Sequence, residues 1–408
     1  MRRWKKIALA LLLLLLVSQT PFVYRRVKLT RLQRTINELN AQRATTPATT
    51  DGQDAYADYH GVMHVHSSLG GHSTGTFDEI VRAAKHNGLA FVVMTEHPSK
   101  HVKTSETTLK GVHDGVLFVA GSEINPEGED RLLVVPGIEP TETNTTTPSV
   151  VTNAKSDGGR LVFVAYPEQL RSWELTDYDG IEVYNLFTNS KRINYALLFF
   201  DGLWSYWSYP HLLFATFYER PAAQLAKWDE LMSKTGRPLV AVAGNDAHQN
   251  VGFSLQHQTG ERVLQLQLDP YERSFQVVRT HVLIEKQQTL TTEALLSSLA
   301  RGHSYIAFDL FCEASGFRFT AENGAERRVM GDEIALGSDG VRLKVTTPVR
   351  SRMLFLRDGQ IIDEARDATE KELTTNQKGV YRVEVYLDQL GEPVRRQPWI
   401  ISNPIYVR

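Results

Sequence analysis

The sequence contains almost no cysteine. Cys312 is the single cysteine among 408 residues, so the chain cannot form an intramolecular disulfide, and cysteine usage does not indicate a cellular compartment. A zinc site built from several thiolates is excluded for the same reason. Any metal site in this chain must therefore use the side chains of His, Asp and Glu.

The chain also lacks an excess of charge of either sign. Its formal net charge is −2, from 45 basic and 47 acidic residues, and this balance does not favour a specific nucleic acid partner. Internal repeats are missing. The "GSE" around Ser122 lacks the pattern of a nucleophile elbow, which argues against a serine hydrolase. The hydrophobic fraction of 42% is typical of a globular protein.

A long apolar run does occur near the N-terminus. Basic residues in "MRRWKK" precede an unbroken apolar stretch at 7–17, which is the arrangement of an export signal. Extension of this stretch to residue 24 gives 18 residues, close to the minimum for a membrane-spanning helix. No small-residue cleavage motif follows, so a retained signal anchor is favoured over a cleaved signal peptide. The body is then expected outside a bacterial-type inner membrane as a single-pass protein, or secreted if the signal is cleaved.

Four segments are predicted along the chain. They are a signal anchor or signal peptide at 1–24, a polar helix and linker at 25–58, a metal-binding barrel at 59–280 and a β-rich accessory domain at 281–408. In the barrel segment, seven apolar strand patterns alternate with helical patterns, one of which begins with a capping box of Thr76 and Glu79. This alternation is typical of a parallel sheet covered on both faces, and seven strands suit a barrel. In the last segment, period-2 alternation between turn residues is typical of a small β-sandwich.

Potential metal ligands follow nearly every predicted strand of the barrel. The polar residues at these strand ends are His64, His66, Glu96, His97, Glu123, Tyr166, Glu182, Asn185, Asp246 and His248. Because a parallel barrel builds its site from the C-terminal ends of its strands, these side chains are expected to meet. Imidazole and carboxylate groups bind Zn, Mn or Fe, and a carboxylate such as Glu123 can bridge two ions. Two ions about 3.5–4 Å apart can activate water and clamp a phosphoryl group.

The order and spacing of five fragments resemble the polymerase-and-histidinol-phosphatase (PHP) superfamily of metal-dependent phosphoesterases. The fragments are "HVH", "TEH", "GSEIN", "IEVYN" and "NDAH", within residues 59–250. The resemblance implies an α/β fold, a distorted (βα)7 TIM-like barrel, here followed by the C-terminal β-sandwich, with up to three metal ions at one end of the barrel. It also implies one ion held by His64, His66, Glu123 and Asp246, and another held by His72, His97 and His248.

Departures from the family pattern reduce the expected number of ions from three to two. Tyr166 and Asp130 stand where the family commonly has histidines that complete a further metal position. Glu96 stands where the family usually has an aspartate, and it is expected to orient a ligand. Asn185 is interpreted either as a substrate contact or as the cap of the next helix. The cofactors expected from the resemblance are therefore two divalent ions of Zn, Mn or Fe.

These residues favour a metal-dependent hydrolase of phosphoester bonds that acts outside the cytoplasm. The expected substrate is a phosphorylated small molecule or polymer, and the expected nucleophile is a metal-bound hydroxide. An amidohydrolase-type metal hydrolase is one alternative, because that class also opens with H-x-H at the end of a barrel strand. A degenerate PHP barrel that serves as a binding or scaffold module is the other, because Tyr166 replaces an expected ligand.

The stretch at 195–217 is unusually rich in aromatic residues. One interpretation is a set of helices that pack on the barrel, with Trp and Tyr using their polar edges. The other is a surface that lies against the membrane or an apolar substrate, which an N-terminal anchor would favour.

Overall fold

The structure, a computed structural model, describes most of the chain. The described residues are 2–45, 55–126, 130–139, 146–156, 158–174, 177–190, 195–213, 215, 218–250, 252–256, 262–267, 269–324 and 326–408. Most of the predicted linker (46–54) lies outside the described residues, as do 214, 216 and 217 of the aromatic stretch.

Helices and strands alternate in the first part of the chain and strands dominate the last. The helices are α1 (Arg2–Thr45), α2 (Phe77–His86), α3 (Thr104–Thr107), α4 (Thr147–Ser156), α5 (Leu186–Ser190), α6 (Tyr195–Ser205), α7 (Ala222–Thr235), α8 (Tyr271–Val277) and α9 (Thr292–Arg301). The strands up to residue 267 are β1 (Tyr56–Val65), β2 (Phe91–Glu96), β3 (Gly111–His113), β4 (Val116–Ile124), β5 (Arg131–Val135), β6 (Leu161–Ala165), β7 (Gly180–Asn185), β8 (Val240–Ala247), β9 (Gly252–Gln256) and β10 (Arg262–Gln267). The later strands are β11 (Arg279–Glu285), β12 (Ser304–Ala307), β13 (Arg318–Glu322), β14 (Arg327–Val329), β15 (Glu333–Ile334), β16 (Val341–Arg357), β17 (Gln360–Thr375), β18 (Gly379–Tyr386), β19 (Ile400–Ser402) and β20 (Ile405–Val407).

Seven strands close into a barrel of mixed direction. Their order is β1, β2, β4, β5, β6, β7 and β8, and β8 pairs back to β1. Strand β5 runs antiparallel to both β4 and β6, whereas the other neighbouring pairs are parallel. The predicted (βα)7 TIM-like barrel is therefore wrong. Only residues 125–130 connect β4 to β5, and parallel neighbours need a crossover of about a dozen residues or more.

The C-terminal strands continue the sheet of the barrel. The first half of β1 pairs with β11, β11 pairs with β12, and β12 pairs with β19. The long strand β16 pairs with β13 near its start and with β18 near its end. The predicted C-terminal β-sandwich is therefore wrong as well, because these strands extend the sheet of the barrel. Period-2 alternation indicates strands with one buried face, but it does not indicate which strands pair.

The hydrophobic core extends from the barrel into the C-terminal strands. One cluster of buried side chains includes Trp228 of α7, Tyr305 of β12 and Trp399 beside β19. A buried ion pair joins the same regions, because the guanidinium of Arg382 on β18 donates two hydrogen bonds of 2.7 Å to the carboxylate of Asp229 on α7. The barrel and the C-terminal strands thus share both core and sheet.

Helix α1 has two different halves. The apolar residues at 7–17 are exposed, whereas Leu29, Leu32, Ile36 and Leu39 are buried in the main core cluster. By length and composition the helix could cross a membrane, a test that a signal sequence also passes. The second half of α1 is part of the folded body.

Candidate metal centre

Six of the seven predicted ligands meet at one end of the barrel. They come from the ends of β1 and β8, from β4 and from the residue after β2, and they are His64, His66, His97, Glu123, Asp246 and His248. The seventh, His72, lies in the exposed loop before α2. Its ring centroid is 4.5 Å from that of His97, but it belongs to neither of the two groups of ligand atoms described below.

The first group consists of four buried side chains. One ligand atom each from His64, His66, Glu123 and Asp246 lies within 4.8 Å of the other three. The Nε2 atoms of both histidines are 3.2 Å from Oε2 of Glu123. The same Nε2 atoms are 3.4 and 3.5 Å from Oδ1 of Asp246. Two imidazoles and two carboxylates therefore point at one small volume.

The second group consists of three stacked histidines and lies beside the first. The ring of His66 stands between those of His97 and His248, at centroid distances of 4.8 and 4.3 Å. Ligand atoms of all three lie within 4.8 Å of one another. The Nε2 of His97 is also 3.2 Å from Oε2 of Glu123. Since His66 belongs to both groups, the two potential metal positions adjoin.

The protonation states of three members of this cluster, His97, His248 and Glu123, suit metal ligands. Burial is the main cause that lowers the pKa of His97 and of His248 to about 4, so both imidazoles are neutral at pH 7. Burial opposes the charge of Glu123, but His64 and His66 outweigh it and hold the pKa of this carboxyl well below its usual range. Neutral imidazole and ionised carboxylate are the forms that coordinate a cation.

Three buried polar atoms of the cluster lack hydrogen-bond partners within the described part of the chain. They are both ring nitrogens of His66 and Oδ1 of Asp246. Buried polar atoms in proteins nearly always have a partner. Nε2 of His66 and Oδ1 of Asp246 lie 3.5 Å apart, and this unpartnered pair calls for a ligand between them. A divalent metal ion matches these atoms, because imidazole nitrogen and carboxylate oxygen are its usual donors. The residues present therefore fit a divalent metal ion.

Backbone strain concentrates at the same place. His64, Tyr166 and Asp246 have positive φ angles of 64°, 49° and 46°. Few residues other than glycine adopt this region, and when they do they are often found at functional sites. The strained backbone directs these three side chains toward the cluster.

Tyr166 and Arg131 border the cluster on one side. The hydroxyl of Tyr166 donates a hydrogen bond to Oδ2 of Asp246. Burial and then the charge of Asp246 raise the pKa of Tyr166 far above its usual value, so the hydroxyl keeps its proton. The guanidinium of Arg131 lies 4.9 Å from the centroid of the Tyr166 ring, and its Nη1 donates to Oε1 of Glu123 at 3.2 Å.

Glu96 and Asn185 accept hydrogen bonds that hold neighbouring segments of the chain in place. The carboxylate of Glu96 accepts hydrogen bonds from the backbone and hydroxyl of Ser67 and from Thr108, which holds the loop after His66. The Oδ1 of Asn185 accepts a hydrogen bond of 2.9 Å from the backbone N–H of Thr188 in α5. This geometry matches the interpretation of Asn185 as a helix cap.

Glu182, one of the predicted strand-end residues, has a role that the sequence did not indicate, as a neighbour of the ligands. Oε1 of Glu182, a buried residue of β7, is 2.7 Å from Nδ1 of His64. Gly244 makes room for this carboxylate, because a Cβ at that position would lie 1.5 Å from Oε1 of Glu182. An acidic residue inside the apolar strand "GIEVYN" was the available signal, since buried carboxylates are rare unless they have partners. Arg131 was missed, next to Asp130, whose carboxylate instead accepts hydrogen bonds from Thr147 and Ser172.

Comparisons with known proteins found similarity only to solved structures. No protein-family model matches the chain, and no curated protein matches it. One similar structure is a two-domain protein containing a predicted PHP-like metal-dependent phosphoesterase from Bacteroides vulgatus ATCC 8482; it is 16% identical, the match covers 86% of this chain and 96% of that one, and the TM-score is 0.37. Another is PsfC from Pseudomonas syringae PB-5123, with 11% identity, coverage of 62% and 91%, and a TM-score of 0.37. At these scores neither likeness carries an argument about activity, which has to come from the site itself.

Proposed function

We propose that this chain is a metal-dependent phosphoesterase of the PHP type that hydrolyses a phosphomonoester or phosphodiester. The observation that carries the proposal is the convergence of His64, His66, Glu123 and Asp246 on one volume, beside a second group that shares His66. Buried histidines and carboxylates at this density suit hydrolytic metal centres.

Two ions of Zn, Mn or Fe fit the two groups of ligand atoms. The first position is held by the four residues His64, His66, Glu123 and Asp246. The second would be held by His97 and His248 together with His72, whose ring already contacts that of His97, because the neutral imidazole of His66 can bind only one ion. When bound, such ions lower the pKa of a water molecule and neutralise charge on a phosphoryl group.

Residues around the ligands set their orientation and protonation. Glu182 accepts a hydrogen bond from Nδ1 of His64, which leaves the lone pair of Nε2 directed into the cluster. Tyr166 donates to one oxygen of Asp246, and the other oxygen, Oδ1, faces the ligand volume. Both contacts hold a ligand ready without taking part in the reaction.

Arg131 is the residue best placed to bind the substrate phosphate. Its side chain is 35% exposed and lines an open cavity of about 510 Å³ together with Asn125 and Gln169. Its contact with Glu123 puts a fixed positive charge at the edge of the metal centre. A guanidinium pairs well with phosphate oxygens because its N–H groups match their geometry.

An extracytoplasmic location is proposed for the body. The exposed apolar first half of α1 supports a single membrane span, and basic residues precede that half. A cleaved signal peptide would instead give a secreted body.

A binding or scaffold module is the second candidate function. The specific observation in its favour is the hydrogen bond from Tyr166 to Asp246, which takes one carboxylate oxygen away from any further metal position. Such a module would keep its metal but would not turn over a phosphoester.

Turnover by the purified full chain tests the first candidate. In detergent with Mn²⁺ or Zn²⁺, the protein should hydrolyse a chromogenic phosphomonoester or phosphodiester. Asp246→Asn should lose at least about 1,000-fold in rate, because it removes one ligand from a centre that supplies several kcal/mol of transition-state stabilisation. The matched control is Asp78→Asn, on the exposed side of α2. A folded, metal-loaded wild type without turnover on either ester would favour the scaffold function.

The role of Arg131 has its own test. Arg131→Ala should raise KM for the phosphoester by about 10–100-fold, because a hydrogen bond to a charged group contributes about 1.5–3 kcal/mol. Arg131→Lys should recover part of this loss. Arg160→Ala, a change of another partly buried arginine, is the control. An unchanged KM in Arg131→Ala would remove this residue from substrate binding.

A further inference from the structure

An apolar surface lies on α6 and the turn that follows it. Phe199, Leu203 and Trp207 are 63%, 62% and 88% exposed, and Phe200 and Trp204 are partly exposed beside them. We call these five residues the aromatic patch. A contiguous apolar surface of this kind on a folded protein usually marks an interaction site.

The aromatic patch is attached to α1 at one level of that helix. The indole N–H of Trp204 donates a hydrogen bond of 3.1 Å to Gln19, and the rings of Phe200 and Phe22 are 5.1 Å apart. On the same helix α6, Asp201 forms an ion pair of 2.8 Å with Arg25. The patch therefore lies beside residues 19–25 of α1.

The geometry of α1 indicates what surrounds that level. The residues at 7–17 are exposed and apolar, as are Val23 and Tyr24. At about 1.5 Å per residue, the segment 3–24 is long enough to cross a hydrocarbon core of about 30 Å. Residues 19–25 would then stand at the membrane–water boundary.

We propose that the aromatic patch is embedded in the interfacial layer of the lipid bilayer that α1 enters. The proposal rests on the membrane anchor proposed above and is independent of the metal chemistry. Trp is enriched at this layer. Insertion of exposed apolar side chains into this layer beside a spanning helix lowers the free energy of the protein. Arg26 and Lys28 at the same level of α1 place positive charge where anionic headgroups would lie.

The body is held to this surface through both α1 and the barrel. The hydroxyl of Tyr206, next to Trp207, accepts a hydrogen bond of 3.1 Å from Arg273 on α8. Tyr271, on the same helix, donates to the backbone carbonyl of His66. An embedded patch thus fixes the orientation of the metal centre relative to the bilayer.

Spin labels in the full chain can test this placement. Cys312 is buried, so single cysteines can be introduced at exposed positions and labelled in the wild-type background. The positions are Phe199→Cys and Trp207→Cys in the patch, Leu12→Cys in the span, and Ile361→Cys on β17 as the matched control, since Ile361 is 60% exposed. The protein is placed in nanodiscs of neutral and anionic phospholipid, and the accessibility of each label to oxygen and to a water-soluble nickel chelate is measured.

The proposal predicts that labels at 199 and 207 are more accessible to oxygen than to nickel, at depths of about 5–10 Å below the headgroups. The label at 361 should show the reverse. If the label at 12 is in lipid but those at 199 and 207 match 361, the patch faces water and the proposal is overturned while the anchor stands. Protection of 199 and 207 from both probes would mean that a second copy covers the patch, which also overturns the proposal. A water-accessible label at 12 would overturn both the patch and the anchor.

Discussion

The hydrogen bond between Glu182 and His64 is the contact that prepares the first metal position. The carboxylate is buried and 2.7 Å from Nδ1 of the imidazole. Burial opposes a proton on His64, but Glu182, Asp246 and Glu123 together hold its pKa well above the usual value without a metal. A bound cation displaces that proton from Nε2, while Nδ1 keeps its partner.

Glu182→Gln should weaken metal binding by about 10–100-fold, which is the usual effect of changing the carboxylate behind a metal-bound imidazole. The amide has nearly the same shape but lacks the charge that makes His64 a better ligand. Competition with a fluorescent chelator measures the affinity. The control is Glu168→Gln, at an exposed position. Equal affinities for Glu182→Gln and the wild type would contradict this role.

Strand-end polar residues were predictable from the sequence at the residue scale. His64, His66 and Glu123 interrupt or end apolar runs, and such positions meet at one end of a barrel. Arg131 was not predictable, because a basic residue at the start of a strand usually lies in solvent. Only the three-dimensional pairing of β5 with β4 brings it to Glu123.

At the element scale, a buried histidine joins β1 to the C-terminal strands. Nδ1 of His281 on β11 is 3.0 Å from Asp58 on β1, and Nε2 is 3.2 Å from Asp309 after β12. Burial opposes the positive charge, but Asp309 and Asp58 raise the pKa of His281 to about 9. This ion triplet lies near the start of β1, whereas the metal ligands lie at its end.

Stability should therefore fall when His281 loses its proton. Its pKa in the unfolded chain is about 6.5, so the stabilisation is complete below that pH and disappears as the pH rises to about 9. The free energy of unfolding should drop by about 3 kcal/mol over this window, at roughly 1.36 kcal/mol per pKa unit. Denaturant titrations at pH 6, 8 and 9.5 measure this change. His281→Gln should flatten the pH dependence and the exposed His101→Gln should not; equal slopes in all three proteins would refute the assignment.

The type of each barrel element was more predictable than its direction. The capping box of Thr76 and Glu79 starts α2 as predicted, and the apolar patterns become strands. The predicted parallel direction of β5 was wrong. The prediction assumed a helix between each pair of strands, but the connection 125–130 is too short to contain a crossover helix. A connection this short excludes a parallel pair of β4 and β5, whereas the long connection between β5 and β6 would have allowed either direction.

At the scale of the whole molecule, the second half of α1 and the C-terminal strands pack into one hydrophobic core. Leu29, Leu32, Ile36 and Leu39 of α1 belong to the core that also contains Trp399. A truncation at residue 45 would remove these side chains, and loss of a buried Leu or Ile side chain costs about 2–5 kcal/mol each. Functional measurements should therefore use the full chain.

Metal ions bound at the cluster of His64, His66, Glu123 and Asp246 are the basis of the proposed function. Anomalous diffraction at the manganese edge, from crystals of the full chain grown with Mn²⁺, tests this most directly. We predict one peak about 2.0–2.2 Å from ligand atoms of His64, His66, Glu123 and Asp246, and a second about 3.5–4 Å away beside His97 and His248. A well-ordered cluster without a peak, in crystals that bind manganese elsewhere, would contradict the account.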